Sequence, residues 1–121
     1  MIRHMRTPPH PRREQIELAP LLEALSDPTR LAILLELSGS DEQGARETEA
    51  RCGAFLHLGS KTNLTYHLAK MRHAGITRVR VAGTSRYISL RRDDLEARFP
   101  GLIDTLIASA RRGKRGRKAK G

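Results

Sequence analysis

The sequence predicts a mostly α-helical fold carrying one small β-hairpin, an α+β arrangement, on three observations. Leucine-rich stretches with helical spacing lie near both ends, a capped apolar repeat covers 60–75, and an alternating apolar and basic pattern follows at 77–90. With 121 residues there is room for one domain, and the two extreme ends are too polar to belong to it.

Taken in order, Met1 to Arg13 holds Pro8, Pro9 and Pro11 among scattered Arg and His, so a disordered basic arm is expected over 1–13. A helix is expected from Glu14 to Ala24, with Ile16, Leu18, Leu21, Leu22 and Leu25 as its apolar surface and Pro20 kinking or restarting it. Ser26-Asp27-Pro28-Thr29-Arg30 is a helix start, a capping side chain followed by proline near the first helical position. Leu31, Ile33, Leu34, Leu35 and Leu37 make the helix that follows the most hydrophobic, and place it at the centre of the core. Ser38 to Gly44 is a polar turn region. Residues 45–58 are the least legible: Glu47 to Arg51 suits a helix, but Gly53 interrupts it, and only Ala54, Phe55, Leu56 and Leu58 are apolar.

The pattern then sharpens. Gly59-Ser60 supplies a turn and a cap, Leu64, Leu68 and Met71 recur at helical spacing, and Gly75 followed by Ile76 ends the helix in a left-handed cap. Thr77–Val81 and Arg86–Leu90 alternate around the turn Ala82-Gly83-Thr84-Ser85, with Val79 and Val81 on one face and Arg78 and Arg80 on the other. A short helix is expected at Asp93–Arg98, and a last one from Pro100 to Ala110 with Leu102, Ile103, Leu106 and Ile107 as its stripe. Arg111 onward is a charge run with three glycines, expected as a disordered basic tail over 111–121, which leaves 14–110 as the folded domain.

The net charge of +10 is unevenly spread. The two ends account for +4 over 1–13 and +7 over 111–121. Inside the domain, 14–59 sums to −6 and 93–110 to −3, whereas 60–92 carries eight cations and no acid. Such segregation is the footprint of a surface that meets phosphate. Two Phe, two Tyr and no Trp argue against a catalytic pocket and against a base-stacking RNA platform. No apolar run is long enough for a membrane span, and no secretory leader or membrane partner is expected. Cys52 stands alone, so no internal disulfide forms, which suits a reducing cytoplasm. With no nucleophile–base pair, paired carboxylates or glycine-rich phosphate loop, neither an enzyme nor a cofactor is expected, and Asp93-Asp94 reads as a helix-start acid pair.

Helix, helix, helix–turn–helix, β-hairpin, helix is the order of a winged helix-turn-helix. The chain resembles the ArsR/SmtB family of bacterial repressors through Leu25-Ser26-Asp27-Pro28-Thr29-Arg30-Leu31-Ala32-Ile33-Leu34, through Ser60-Lys61-Thr62-Asn63-Leu64-Thr65-Tyr66-His67-Leu68, and through His73-Ala74-Gly75-Ile76 leading into a basic hairpin. The resemblance covers Leu21 to Leu90. It implies a cytoplasmic homodimer, nucleoid-associated when bound, that sits on a double-stranded DNA operator and leaves it when a ligand binds.

A helix packed through Leu64, Leu68 and Met71 turns Thr62, Asn63, Tyr66 and Lys70 outward. Lys61, Thr62, Asn63, Thr65, Tyr66 and Lys70 are therefore the expected contacts of the recognition helix, with Asn63 suited to adenine and Thr methyls to thymine. Arg78, Arg80 and Arg86 are expected to hold phosphate or the minor groove. The apolar ends, Ile16, Leu21, Leu22, Leu102, Ile103, Leu106 and Ile107, are the expected dimerisation surface.

Neither familiar metal site of the family is expected. The thiol version needs two cysteines near the positioning helix, where only Cys52 stands, and the zinc version needs histidine on the last helix, which has Asp104 but none. Cys52 with His57 makes too few ligands. Cys52 reads as a small buried hydrophobe and His67 as a residue at the core edge, and the sequence names no effector. The competing reading is a nucleoid-associated or RNA-binding basic protein of little sequence specificity, whose affinity resides in the tails.

Overall fold

Asp27 starts the central helix by accepting from the backbone amides of Thr29 (2.8 Å) and Arg30 (3.1 Å), with Pro28 at the position where a missing N–H costs nothing. The computed structural model describes residues 6–39 and 49–120, with side chains as far as Gly113. A 3₁₀ turn at Arg13–Gln15 precedes α1 (Leu18–Leu25) and α2 (Pro28–Leu37). Strand β1 (Ala50–Arg51) leads into a 3₁₀ helix over Cys52–Leu58 and then α3 (Lys61–His73). Strands β2 (Thr77–Ala82) and β3 (Ser85–Leu90) form the hairpin, followed by α4 (Arg92–Arg98) and α5 (Leu102–Lys120). The sheet is antiparallel in the order β1-β3-β2. This is a winged helix-turn-helix in its helical part and its wing alike.

The long helix predicted over 14–24 is split in two. Ile16 is extended, and Pro20 falls in the first turn of α1, where its nitrogen has no intrahelical acceptor to lose. The expected helix at 47–51 is a strand where it is described, because Ala50 and Arg51 pair with Ile88 and Tyr87; residues 40–48 lie outside the described part.

Gly75 is required twice over. Its φ of +84° suits the C-terminal cap, in which the Ile76 amide reaches back to the Met71 carbonyl at 2.9 Å. A Cβ there would also stand 2.5 Å from Cγ1 of Ile16. The hairpin turns through Gly83-Thr84, with Gly83 at φ +61° and no positive φ at Thr84, the pattern of a type II′ turn.

Three expectations change here. Over residues 6–13 the disordered arm is instead laid along the domain: Arg72 donates to the Pro9 carbonyl (3.1 Å), Arg91 to that of Pro11 (2.8 Å), and the Val79 amide to Nε2 of His10 (2.9 Å). Proline stiffness lowers the entropy that ordering removes. The tail expected to be disordered from 111 continues α5 as far as Lys120, since Ala, Arg and Lys are strong helix formers and cations favour a helix C-terminus. Third, the apolar residues of the two ends are not one exposed set. Ile16, Leu21, Ile103 and Ile107 are buried in the protomer's own core with Ile33, Leu34 and Leu37, whereas Leu22 is 43% exposed and Leu102 and Leu106 are half-buried. Leu18, one turn before Leu22, is 45% exposed beside it.

Candidate nucleic-acid interface

Helix α3 owes its placement to three local features. Ser60 Oγ caps it by accepting from the Asn63 amide (3.2 Å), Leu64 and Met71 bury one face, and Gly75 ends it. A fourth tie was not legible in the sequence. Arg30, 8% exposed on α2, donates to the Ala24 carbonyl (2.6 Å) and to Nδ1 of His67 (2.9 Å), which lies 3.9 Å from Asp27. The residues that start α2 thus also hold α3. His67 sits at the core edge as expected, but as a polar bridge to Arg30.

The outward face of α3 carries Thr62, Asn63 and Tyr66, all exposed. Tyr66 meets the His67 ring edge-on at 5.6 Å, and Lys70 Nζ lies 5.9 Å from the Tyr66 ring while pairing with Glu23 at 3.7 Å. Lys61 and Thr65 sit one step round, towards the hairpin, beside Leu64 and Leu68. The Thr65 hydroxyl donates to the Lys61 carbonyl (2.9 Å), so its proton is engaged within the helix.

The hairpin cations do not act as one set. Arg78 and Arg80 lie opposite Ser89 and Tyr87, on the outer face. Arg80 forks onto Glu49 (2.7 and 2.9 Å) and stacks on the Tyr87 ring at 4.5 Å, with Arg51 on the same ring at 5.6 Å. Glu49 and Arg80 hold each other charged: the hydrogen bond from Arg80 brings the Glu49 carboxyl below its ordinary range, and that same bond raises Arg80. Arg78 reaches Oδ2 of Asp94 (3.1 Å), which also accepts from Arg91 (2.9 Å), while Oδ1 accepts from Arg13 (2.8 Å). Burial raises the Asp94 pKa, and its bonds from Arg13 and Arg91 more than reverse this, leaving it below the ordinary value. Arg78 and Arg80, predicted as open phosphate contacts, are therefore paired with carboxylates, though their side chains remain more than half exposed.

Arg86 belongs to the other face. It lies opposite Val81 and points towards α3, so its grouping with Arg78 and Arg80 does not hold. Counting back from the two-residue turn pairs 81 with 86, a signal already present in the sequence. Among the described residues, Arg86 and Lys61 make no ion pair, and no group of three His, Cys, Asp or Glu comes together as a metal site. His57 pairs with Glu36, not with Cys52.

Residues 25–80 match a family described as a helix-turn-helix domain, a span from the end of α1 into β2. Over 90 residues the chain is 37% identical to the uncharacterized HTH-type transcriptional regulator YceK of Bacillus subtilis, covering 73% of this chain and 84% of that relative.

Proposed function

The chain belongs to the helix-turn-helix family of transcriptional regulators and binds DNA in that role, and from this premise we propose that it is an ArsR-like repressor that grips its operator as a homodimer. The observation that carries the reading is the exposed row Thr62, Asn63 and Tyr66 on a capped helix, within a stretch, 60–92, that holds no acid. A first turn with free backbone amides meets phosphate, and the row behind it meets base edges. Asn63 and Tyr66 read bases; Lys61, Lys70 and Arg86, with Arg78 and Arg80 where their carboxylates yield them, hold the backbone.

The dimer rests on Leu18 and Leu22 of α1 and on Leu102 and Leu106 of α5, apolar residues that the protomer leaves partly uncovered. The protein works in a bacterial cytoplasm, catalyses nothing itself, and leaves DNA on a signal. Selecting duplexes from a random pool tests specificity, and sedimentation of Leu22→Glu and Leu106→Glu tests the dimer. A single enriched half-site arranged as an inverted repeat, and monomeric variants that stay folded, are the expected results. Enrichment of no sequence would favour the second reading, a nucleoid-associated or RNA-binding basic protein of low specificity, which the seven cations of 111–121 keep in view.

A further inference from the structure

Between α3 and the inner face of the hairpin lies a cleft of about 600 Å³, bordered also by the 3₁₀ helix and by Pro8 of the arm. Its walls are mainly hydrocarbon, from Leu56, Leu64, Leu68, Val79 and Ile88. Among the described residues, the polar groups at its margin include three cations, Lys61, Arg72 and Arg86, and no acid. Arg72 has only the Pro9 carbonyl and His73 as partners among the described residues. Burial, and then the nearby Arg86 charge, hold the Arg72 guanidinium below its ordinary range. Two guanidiniums lining one apolar hollow, each within reach of the other's charge, form a site short of one negative charge.

We infer that this cleft binds a small amphiphilic monoanion, a carboxylate carried on an aliphatic or aryl body. Its charge lies between Arg72 and Arg86 and its hydrocarbon against Leu64 and Leu68. The volume falls in the range of small-molecule sites, and the pattern of apolar walls with a few convergent polar groups is theirs as well. A cation would be repelled, a neutral chain would leave the two arginine charges uncompensated, and a highly charged anion would strand its hydration against leucine. The inference deepens the reading above by naming the class of signal, and it rests on that reading only for the effect on DNA. Lys61 and Thr65 line the cleft on the same helix that presents Thr62 and Asn63. A carboxylate there cancels positive charge beside the DNA face and lowers duplex affinity.

Cys52, half-buried in the cleft wall, reports occupancy without DNA. Burial pushes its thiol pKa up, against a smaller opposing pull from Arg86, so it alkylates slowly and a bound ligand slows it further. With the full chain, maleimide alkylation and calorimetry would be followed against decanoate, decan-1-ol and decyltrimethylammonium, each below its micelle concentration. Decanoate is expected to protect Cys52 saturably, with the alcohol roughly tenfold weaker and the cation inert. Arg86→Gln and Arg72→Gln, each alone, should cost decanoate roughly tenfold and leave the alcohol unchanged. Ala69→Met, filling the cleft from α3, should remove both ligands. Absence of saturable protection, equal affinity for alcohol and acid, or full decanoate affinity in Arg86→Gln overturns the assignment. Binding of a random duplex is measured separately. If duplex binds and decanoate does not, the cleft assignment alone falls; if decanoate binds and duplex does not, the operator reading alone falls.

Discussion

Replacing Asp94 by Asn should weaken the fold without weakening the grip on DNA. Asp94 joins three parts of the chain, since Arg13 of the arm, Arg78 of β2 and Arg91 before α4 all donate to it. An amide keeps the shape but presents N–H groups to guanidinium donors and removes the charge. Arg13 and Arg78 are more than half exposed and re-solvate cheaply, each a loss of about 0–1 kcal/mol. Arg91 is different: its side chain is 5% exposed, and among the described residues only the Pro11 carbonyl remains to it. Stranding it sets the total at about 3 kcal/mol, the low end for breaking a buried pair. For a domain of this size that lowers the melting temperature by roughly 10–20 °C at neutral pH. The pH dependence has a definite sign. The folded Asp94 pKa lies below its unfolded value, so its stabilisation is whole above an unfolded pKa of about 3.9 and fades as pH falls through the lower folded value. The gap between wild type and Asp94→Asn should therefore close on acidification below about pH 4. Meanwhile Arg78, released, should leave affinity for a random duplex unchanged or higher. Thermal melts by circular dichroism across pH, with anisotropy on a duplex, read both. Melting within about 2 °C of wild type at pH 7 would refute the reasoning, because Arg91 would then be satisfied without Asp94.

Asn63→Ala should cost about 1–3 kcal/mol on the selected operator and relax the preference at one base per half-site, with little change on scrambled duplex, as competition titrations would show. Glu49→Gln should free Arg80 from its fork, tightening binding to any duplex and steepening the salt dependence by about one ion per protomer; an unchanged slope means Arg80 never reaches phosphate. His10 accepts from the Val79 amide only while its ring is unprotonated at Nε2. Burial first, then Arg91, Arg72 and Arg78, lower its pKa, so the unfolded chain binds the extra proton below about pH 6.5 and stability falls there. Amide exchange at Val79 should accelerate, beyond the intrinsic trend, as the pH falls below about 6.5, and His10→Gln should flatten that excess.

Helix α3 and the hairpin were legible because each carries its own period and its own punctuation: Leu64, Leu68 and Met71 between Ser60 and Gly75, then Val79 and Val81 before Gly83. Strand β1 was not, since two residues hold no period and their pairing depends on Tyr87 and Ile88, more than thirty positions away. Nor does a 3₁₀ helix over Cys52–Leu58 leave an amphipathic trace, having Phe55 alone buried. That Thr62, Asn63 and Tyr66 share the exposed face of α3 was readable for the same reason as the helix itself. Its electrostatic state was not, because Glu49 and Asp94 reach Arg80 and Arg78 through space. The apolar stripe on α5 was seen, but periodicity cannot tell a protomer's own core from a partner's, and Ile103 and Ile107 went inward.

The arm is held largely by its main chain. Arg72, Arg91 and Arg98 donate to the carbonyls of Pro9, Pro11 and Ile16, and a carbonyl is the same atom whatever side chain stands beside it. What the domain recognises at 9 and 11 is an extended path, with proline serving only to favour it. In descendants of this chain, those two positions are consequently free to drift among residues that keep the path. Inheritance should instead bear on the three arginines, which lie sixty and more positions downstream of the residues they restrain.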